Sequence, residues 1–298
     1  MIQTRPYEFM VSYTPQVQWI EKGGIKLLLA FFFIELGAGM FLVASLFNNL
    51  TAMAIGWFLC AVLGGGFHLL FLGKPLRFWR MLLSSGWKTS WISRGLIFVI
   101  FFLVLGLANI VLTQLAIRFT FLVFVADIFA FLTIIYGGFA MNFANGIPLW
   151  NTALLPILYV ISGLLGGAEV TLGIALGSGE LGVGMAMEEW IRPLLICFIL
   201  LIPVYLMSVR YTSSTGKASV KYMALGKWAP LFWIAVVIMG MVLPSAVVIN
   251  SYLSGLEKGT AAFIYVAIIS GLIGDLATRF LILKGGIYSP LIPSSNAV

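Results

Sequence analysis

Charge is scarce in this chain. Of 298 residues only 9% are Asp, Glu, Lys or Arg, against 61% hydrophobic, and the mean hydropathy is +1.09. A soluble domain needs far more charged surface, so the composition describes a polytopic membrane protein. Histidine is scarcer still, with His68 the single example. Bis-histidine haem needs two axial imidazoles, which excludes a b-type cytochrome within this chain. The two cysteines, Cys60 and Cys197, stand far apart inside apolar segments. They cannot hold an iron–sulfur cluster and read as small buried hydrophobes. The chain also lacks a P-loop, a GxGxxG after a strand, and a Ser/His/Asp set that spacing would support. Its opening residues, MIQTRPYEFMVSYTPQVQWIEKGG, have none of the ordered features of a secretory signal, so insertion through its own helices is expected. Three classes survive: a binding site for a diffusible redox carrier, proton conduction, and solute transport.

What is abundant is apolar sequence in long runs. A 30 Å hydrocarbon layer takes about 20 helical residues to cross. By that measure eight spans are expected, at 25–47, 52–72, 95–117, 119–141, 152–176, 193–210, 230–252 and 260–283. The fold class is therefore all-α, an eight-helix membrane domain over 25–283 arranged as two four-helix bundles, between an N-terminal segment (1–24) and a C-terminal tail (284–298). Pro203 interrupts the short sixth span and predicts a kink there.

An even number of spans puts both termini on one side. That side holds Arg5, Lys22 and Lys26, then Lys74, Arg77, Arg80, Lys88 and Arg94, then Arg210, Lys217, Lys221 and Lys227, and finally Arg279 and Lys284. Of the 17 basic residues, this leaves Arg118, Arg192 and Lys258 for the other face. The positive-inside rule places the termini in the cytoplasm. Glu180, Glu188, Glu189 and Glu257 are assigned to loops on the opposite face. The net charge of +7 thus reflects orientation and contact with anionic lipid rather than nucleic-acid binding.

Against this apolar background five ionisable residues stand out inside the spans: Glu35, His68, Asp127, Glu169 and Asp275. Each such group costs several kcal/mol, roughly 2.5–3.5 on the insertion scale, unless paired or wetted. Glu35 and Asp275 fall near mid-depth, and Asp127 and Glu169 in the half away from the termini. A proton route through these four carboxyls is one reading, and helix-packing hydrogen bonds are the other. Asp275 and Arg279, spaced i and i+4, read as a buried ion pair. Small residues at 37–39, 64–66 and 166–179 predict close helix contacts.

Two blocks carry a resemblance. The first is GKPLRFW (73–79), followed by TSWISRG (89–95) where the third helix opens. The second is YGGFAMNFANGIPLW, from Tyr136 to Trp150, with a tyrosine near the end of the fourth helix and Pro-Leu-Trp at a fixed distance beyond it. In order and spacing they resemble the polysulfide reductase membrane-anchor, or NrfD-like, family, and GLIGDLATRFLILKGG (271–286) is similar to that family's last helix.

The resemblance implies eight helices in the cytoplasmic membrane of a prokaryote. It implies a site for menaquinone or ubiquinone and no intrinsic haem or iron–sulfur cluster. The implied partners are an iron–sulfur subunit with ferredoxin-like clusters, a molybdopterin catalytic subunit and membrane lipid. The family tyrosine that bonds the quinone maps onto Tyr136. The asparagine and histidine that some members carry at the start of the first helix have no clear counterpart in WIEKGGIKLLLAFFF. His68, one turn before GKP and close to Tyr136 in membrane depth, takes their place as the second expected contact. Arg77, Trp79 and Arg80 are expected either to dock the partner or to anchor at lipid headgroups. A proton-coupled or solute transporter without a redox role is the alternative.

Overall fold

The computed structural model describes residues 10–21, 23–83, 85–254 and 261–292. Arg5, Lys22, Glu257 and Lys258, used above for sidedness, lie outside the described residues. Among those described, eight helices are long and apolar enough to cross a membrane. They are α1 (Ile25–Leu46), α2 (Leu50–Phe71), α3 (Trp91–Gln114), α4 (Thr120–Asn142), α5 (Leu154–Ser178), α6 (Leu181–Thr212), α8 (Ala229–Leu253) and α9 (Ala261–Lys284). The short helix α7 (Ser214–Ala224) separates α6 from α8. A two-residue antiparallel pair, β1 (Thr14–Pro15) with β2 (Ile287–Tyr288), ties the two ends of the described chain together. The protein is a multi-pass, all-helical membrane protein.

Buried apolar side chains divide into two clusters. One draws on α1, α2, α3 and α4, with Phe41, Phe102, Ile134 and Tyr136 among its members. The other draws mainly on α5, α6, α8 and α9, with Leu158, Phe198, Ile202 and Leu281. The seam between them is the long contact of α1 with α5, and it is glycine that permits it. A Cβ on Gly167 would lie 2.5 Å from the backbone nitrogen of Met40, and one on Gly37 would lie 2.6 Å from the nitrogen of Cys60 in α2. Such close backbone approach is what small residues provide in a membrane, where helices gain little from hiding apolar surface.

Seven of the eight spans begin and end within a few residues of their expected positions. The sixth starts at Leu181 rather than 193 and runs 32 residues through both Pro193 and Pro203 without interruption. Glu188 and Glu189, assigned above to a loop, are therefore helical. The reason is physical: Glu188, Glu189 and Arg192 dilute an apolar window, yet Glu188 and Arg192 stand i and i+4 and pair at 2.9 Å on the helix surface. Two stretches of wider π-helical winding, Leu59–Gly64 in α2 and Phe232–Val242 in α8, were not expected.

Candidate functional site

The two sequence blocks meet in space. Ser90 caps α3 by accepting a hydrogen bond from the Ser93 backbone nitrogen. This fixes the first turn of α3 so that Trp91 stacks on Phe139 of α4, with ring centroids 4.4 Å apart. One turn on, Gly95 faces the Tyr136 ring, and any side chain there would overlap it. TSWISRG thus forms one wall around the tyrosine. The Arg94 guanidinium closes the preceding loop by donating to the carbonyls of Trp87 and Lys88 and lies 4.8 Å over the Trp91 ring.

Tyr136 is only 4% exposed, and its hydroxyl sits 2.9 Å from Nε2 of His68. On the other side of the imidazole, Nδ1 lies 3.3 Å from the carbonyl of Gly64, the last residue of the π-helical stretch. A carbonyl only accepts, so Nδ1 donates to it; in the neutral imidazole Nε2 is then the acceptor and the Tyr136 hydroxyl donates to it. Phe31 of α1 packs against both rings, with centroids 5.5 Å from His68 and 6.1 Å from Tyr136. Counted from the helix ends at Phe71 and Asn142, His68 and Tyr136 lie about 5 and 9 Å deep on the side of the termini. A phenol hydrogen-bonded to an imidazole at shallow depth, beside aromatic rings, forms a pair that can pass a proton from the phenolic oxygen to Nε2.

Behind this pair lies a buried ionic cluster. Arg279, 2% exposed, pairs with the fully buried Glu35, bonds Asp275 at 3.0 Å and Ser162 Oγ at 2.6 Å, and stands 4.7 Å over the Tyr159 ring. The expected Asp275–Arg279 pair is present, and Glu35 joins it from 244 residues away. The other carboxylate oxygen of Glu35 has no hydrogen-bond partner among the described residues. It faces Gly137, where a Cβ would collide with it, next to Tyr136. Glu35 thus lies between the Tyr136–His68 pair and Arg279.

The remaining expected residues fall elsewhere. Asp127 lies apart from this cluster, accepting from Ser45 at 3.1 Å. Glu169, 4% exposed, packs against Gly271, one turn before Asp275 on α9. Arg77, Trp79 and Arg80 are exposed on the loop between α2 and α3, with the Arg80 guanidinium 5.7 Å from the Trp79 ring centroid. The Pro-Leu-Trp segment is structural. Trp150 donates to the Ile282 carbonyl at 2.7 Å, and the Leu149 carbonyl accepts from Tyr205 at 2.6 Å. Sequence reasoning missed Phe31, Ser162 and Tyr159; only for Phe31, in the aromatic run FFF one turn before Glu35, was there a local signal.

A family model described as "Polysulphide reductase, NrfD" matches residues 12–290. The chain is similar to the C subunit of the polysulfide reductase of Wolinella succinogenes, 31% identical over 160 residues, which cover 51% of this chain and 49% of that protein. It is also similar to a "Protein NrfD homolog" of Haemophilus influenzae, 26% identical over 155 residues, covering 51% of this chain and 48% of that one. The chain spans about half the length of the curated relatives it matches.

Proposed function

We propose, given that this chain belongs to the polysulphide reductase NrfD family, that it is the membrane anchor of a reductase complex and binds a quinone at Tyr136 and His68. The observation that carries this reading is the 2.9 Å Tyr136–His68 bond, held by Gly64 on one side and Gly95 on the other. A menaquinone or ubiquinone there supplies two-electron, two-proton chemistry. The chain's own part is to orient the carbonyl and manage protons. The Tyr136 oxygen is left to accept from a quinol hydroxyl, and as that proton arrives the phenolic proton passes to His68 Nε2. The unpartnered oxygen of Glu35 is the nearest buried carboxyl oxygen to continue the transfer.

Electrons pass to an iron–sulfur subunit docked over the same face, which links the site to a molybdopterin-type catalytic subunit. The exposed Arg77, Trp79 and Arg80 and the protruding Leu76, 88% exposed, support docking there. Interface cores favour arginine and aromatic residues. Glu35, Asp127, Glu169 and Asp275 are the carriers of protons, and the cytoplasmic membrane is the expected location.

The test is quinol turnover by the purified complex with Tyr136→Phe and His68→Ala. Losing a positioned proton donor or acceptor lowers turnover by about a hundredfold or more, while the subunits still co-purify. Wild-type quinol kinetics in both variants contradict the reading.

A further inference from the structure

The first bundle carries a polar pocket at the face away from the termini, where α1 gives way to α2 and α3 to α4. Its volume is about 230 Å³, and Ser45, Asn48, Met53, Asn109, Thr113 and Arg118 are among the residues that line it. Asn109 is 3% exposed, and its Oδ1 accepts from Thr113 Oγ1 at 3.4 Å. That bond leaves the amide Nδ2 to donate, and Nδ2 has no partner among the described residues. A buried donor left without an acceptor is costly. The pocket wall therefore calls for an acceptor oxygen at the depth of Asn109.

Charge sets the direction of whatever binds. Arg118 is exposed at the rim and has no ion-pair partner among the described residues, whereas Arg192, on the same face, is paired with Glu188. Behind the wall Asp127 accepts from Ser45 Oγ at 3.1 Å, and its other oxygen has no partner among the described residues. A carboxylate there repels negative charge from the floor. An anion thus belongs at the rim, with an uncharged oxygen below it. Counted from the end of α3 at Gln114, Thr113 lies about 2 Å and Asn109 about 8 Å deep. Guanidinium, hydroxyl and amide follow one another inward, in the order in which a glycerophospholipid presents its phosphate and then its ester oxygens. Between α2 and α3 at the same end runs an apolar groove of about 490 Å³, lined by Thr51, Ala54 and Ile55 against Ile110, Val111 and Gln114. Leu115 of the groove and Ala116 of the pocket are consecutive residues.

We propose that this pocket binds a glycerophospholipid of the adjacent leaflet, with its phosphate on Arg118, an ester carbonyl accepting from Asn109 Nδ2, and one acyl chain in the α2–α3 groove. Arginine holds phosphate through charge-assisted, commonly bidentate hydrogen bonds. Basic pockets between transmembrane helices are an established mode of lipid recognition. Glycerol 3-phosphate shares the phosphate and glycerol chemistry but has no chains, and the groove is what commits the pocket to a lipid. The site lies at the opposite face from Tyr136 and His68, and its occupancy does not depend on the quinone reading. A lipid seated there bridges the α1–α2 turn, through Ser45 and Asn48, to the α3–α4 turn at Arg118.

The test is native mass spectrometry of the purified complex, stripped of lipid and titrated with phosphatidylglycerol, diacylglycerol or glycerol 3-phosphate. The wild-type complex should hold one phosphatidylglycerol per anchor about tenfold more tightly than Arg118→Ala or Asn109→Leu does, the size expected for a hydrogen bond to a charged group or an orphaned donor. Diacylglycerol, which has no phosphate, should bind wild type and Arg118→Ala alike, and glycerol 3-phosphate should not displace phosphatidylglycerol. Asp127→Asn should retain the lipid at least as well as wild type. Lipid lost in Asp127→Asn would mark a site for a cation and overturn the assignment. Displacement by glycerol 3-phosphate would assign the pocket to a soluble phosphate ester and overturn it as well, as would equal retention of phosphatidylglycerol by wild type and Arg118→Ala. If Asn109→Leu fails to assemble, Arg118→Ala decides, since its side chain is exposed. Quinol turnover in Arg118→Ala stays at the wild-type rate, so failure of the lipid site leaves the quinone site standing, and failure of the quinone site leaves the lipid site standing.

Discussion

Glu35 of the first transmembrane helix and Arg279 of the last form an ion pair with side chains 0% and 2% exposed, and through it α1 is tied to the bundle that α9 completes. With both side chains buried, each charge depends on the other. Removing one partner of a buried pair costs about 3–5 kcal/mol because the remaining charge is left uncompensated. Arg279→Met alone should therefore lower the unfolding temperature of the detergent-solubilised protein, as should Glu35→Leu to a lesser degree. The double variant Glu35→Leu with Arg279→Met should recover part of the loss, because no unpaired Glu35 charge remains. A double variant no more stable than Arg279→Met alone would show that the two side chains are not coupled.

Gly95 provides a test of how the site is held. Alanine there drives a methyl into the Tyr136 ring, and forcing a side chain into a packed site costs about 1–3 kcal/mol. Gly95→Ala is expected to lower quinol turnover while the complex assembles, since the tyrosine is displaced and not removed. Gly66→Ala, in the same half of α2 as His68 but with open space around it, serves as the control and should leave turnover unchanged. Equal effects from the two substitutions would contradict the placement of Tyr136.

The exposed loop between α2 and α3 should behave as a partner surface. Arg77→Glu with Arg80→Glu reverses two charges at a rim, a change that acts on association more than on folding. The expected outcome is loss of co-purifying iron–sulfur subunit at moderate salt, with the anchor still inserted in the membrane. Retention of the partner at wild-type level would assign these side chains to lipid headgroups.

Much of this was legible in the chain itself, because the bilayer imposes a length on every apolar run. That His68 and Tyr136 share a membrane level followed from depth, as both lie a turn or two inside the same face, but their 2.9 Å contact depends on how α2 packs near α4 and was not legible. The start of α6 was not legible: Glu188, Glu189 and Arg192 mark a loop to any apolar window, and only their i, i+4 pairing shows a helix. The π-helical stretch before His68 was not legible either, since α1 crosses α2 at its start, at Gly37 and Cys60, 23 residues apart in sequence. The pairing of Arg279 with Glu35 depends on a contact between the first and last helices, which no local pattern announces. Buried arginine in a membrane does announce that more than one partner is needed.

The quinone site itself is tested most directly by photolabelling. A photoreactive menaquinone analogue is irradiated with the intact complex in membranes, and labelled peptides are mapped by mass spectrometry. A quinone held by Tyr136 and His68 predicts label on the segments that carry Phe31, His68 or Tyr136, reduced by excess unmodified menaquinone and by Tyr136→Phe. Label confined to other segments, or label in those three that excess menaquinone leaves unchanged, would contradict it.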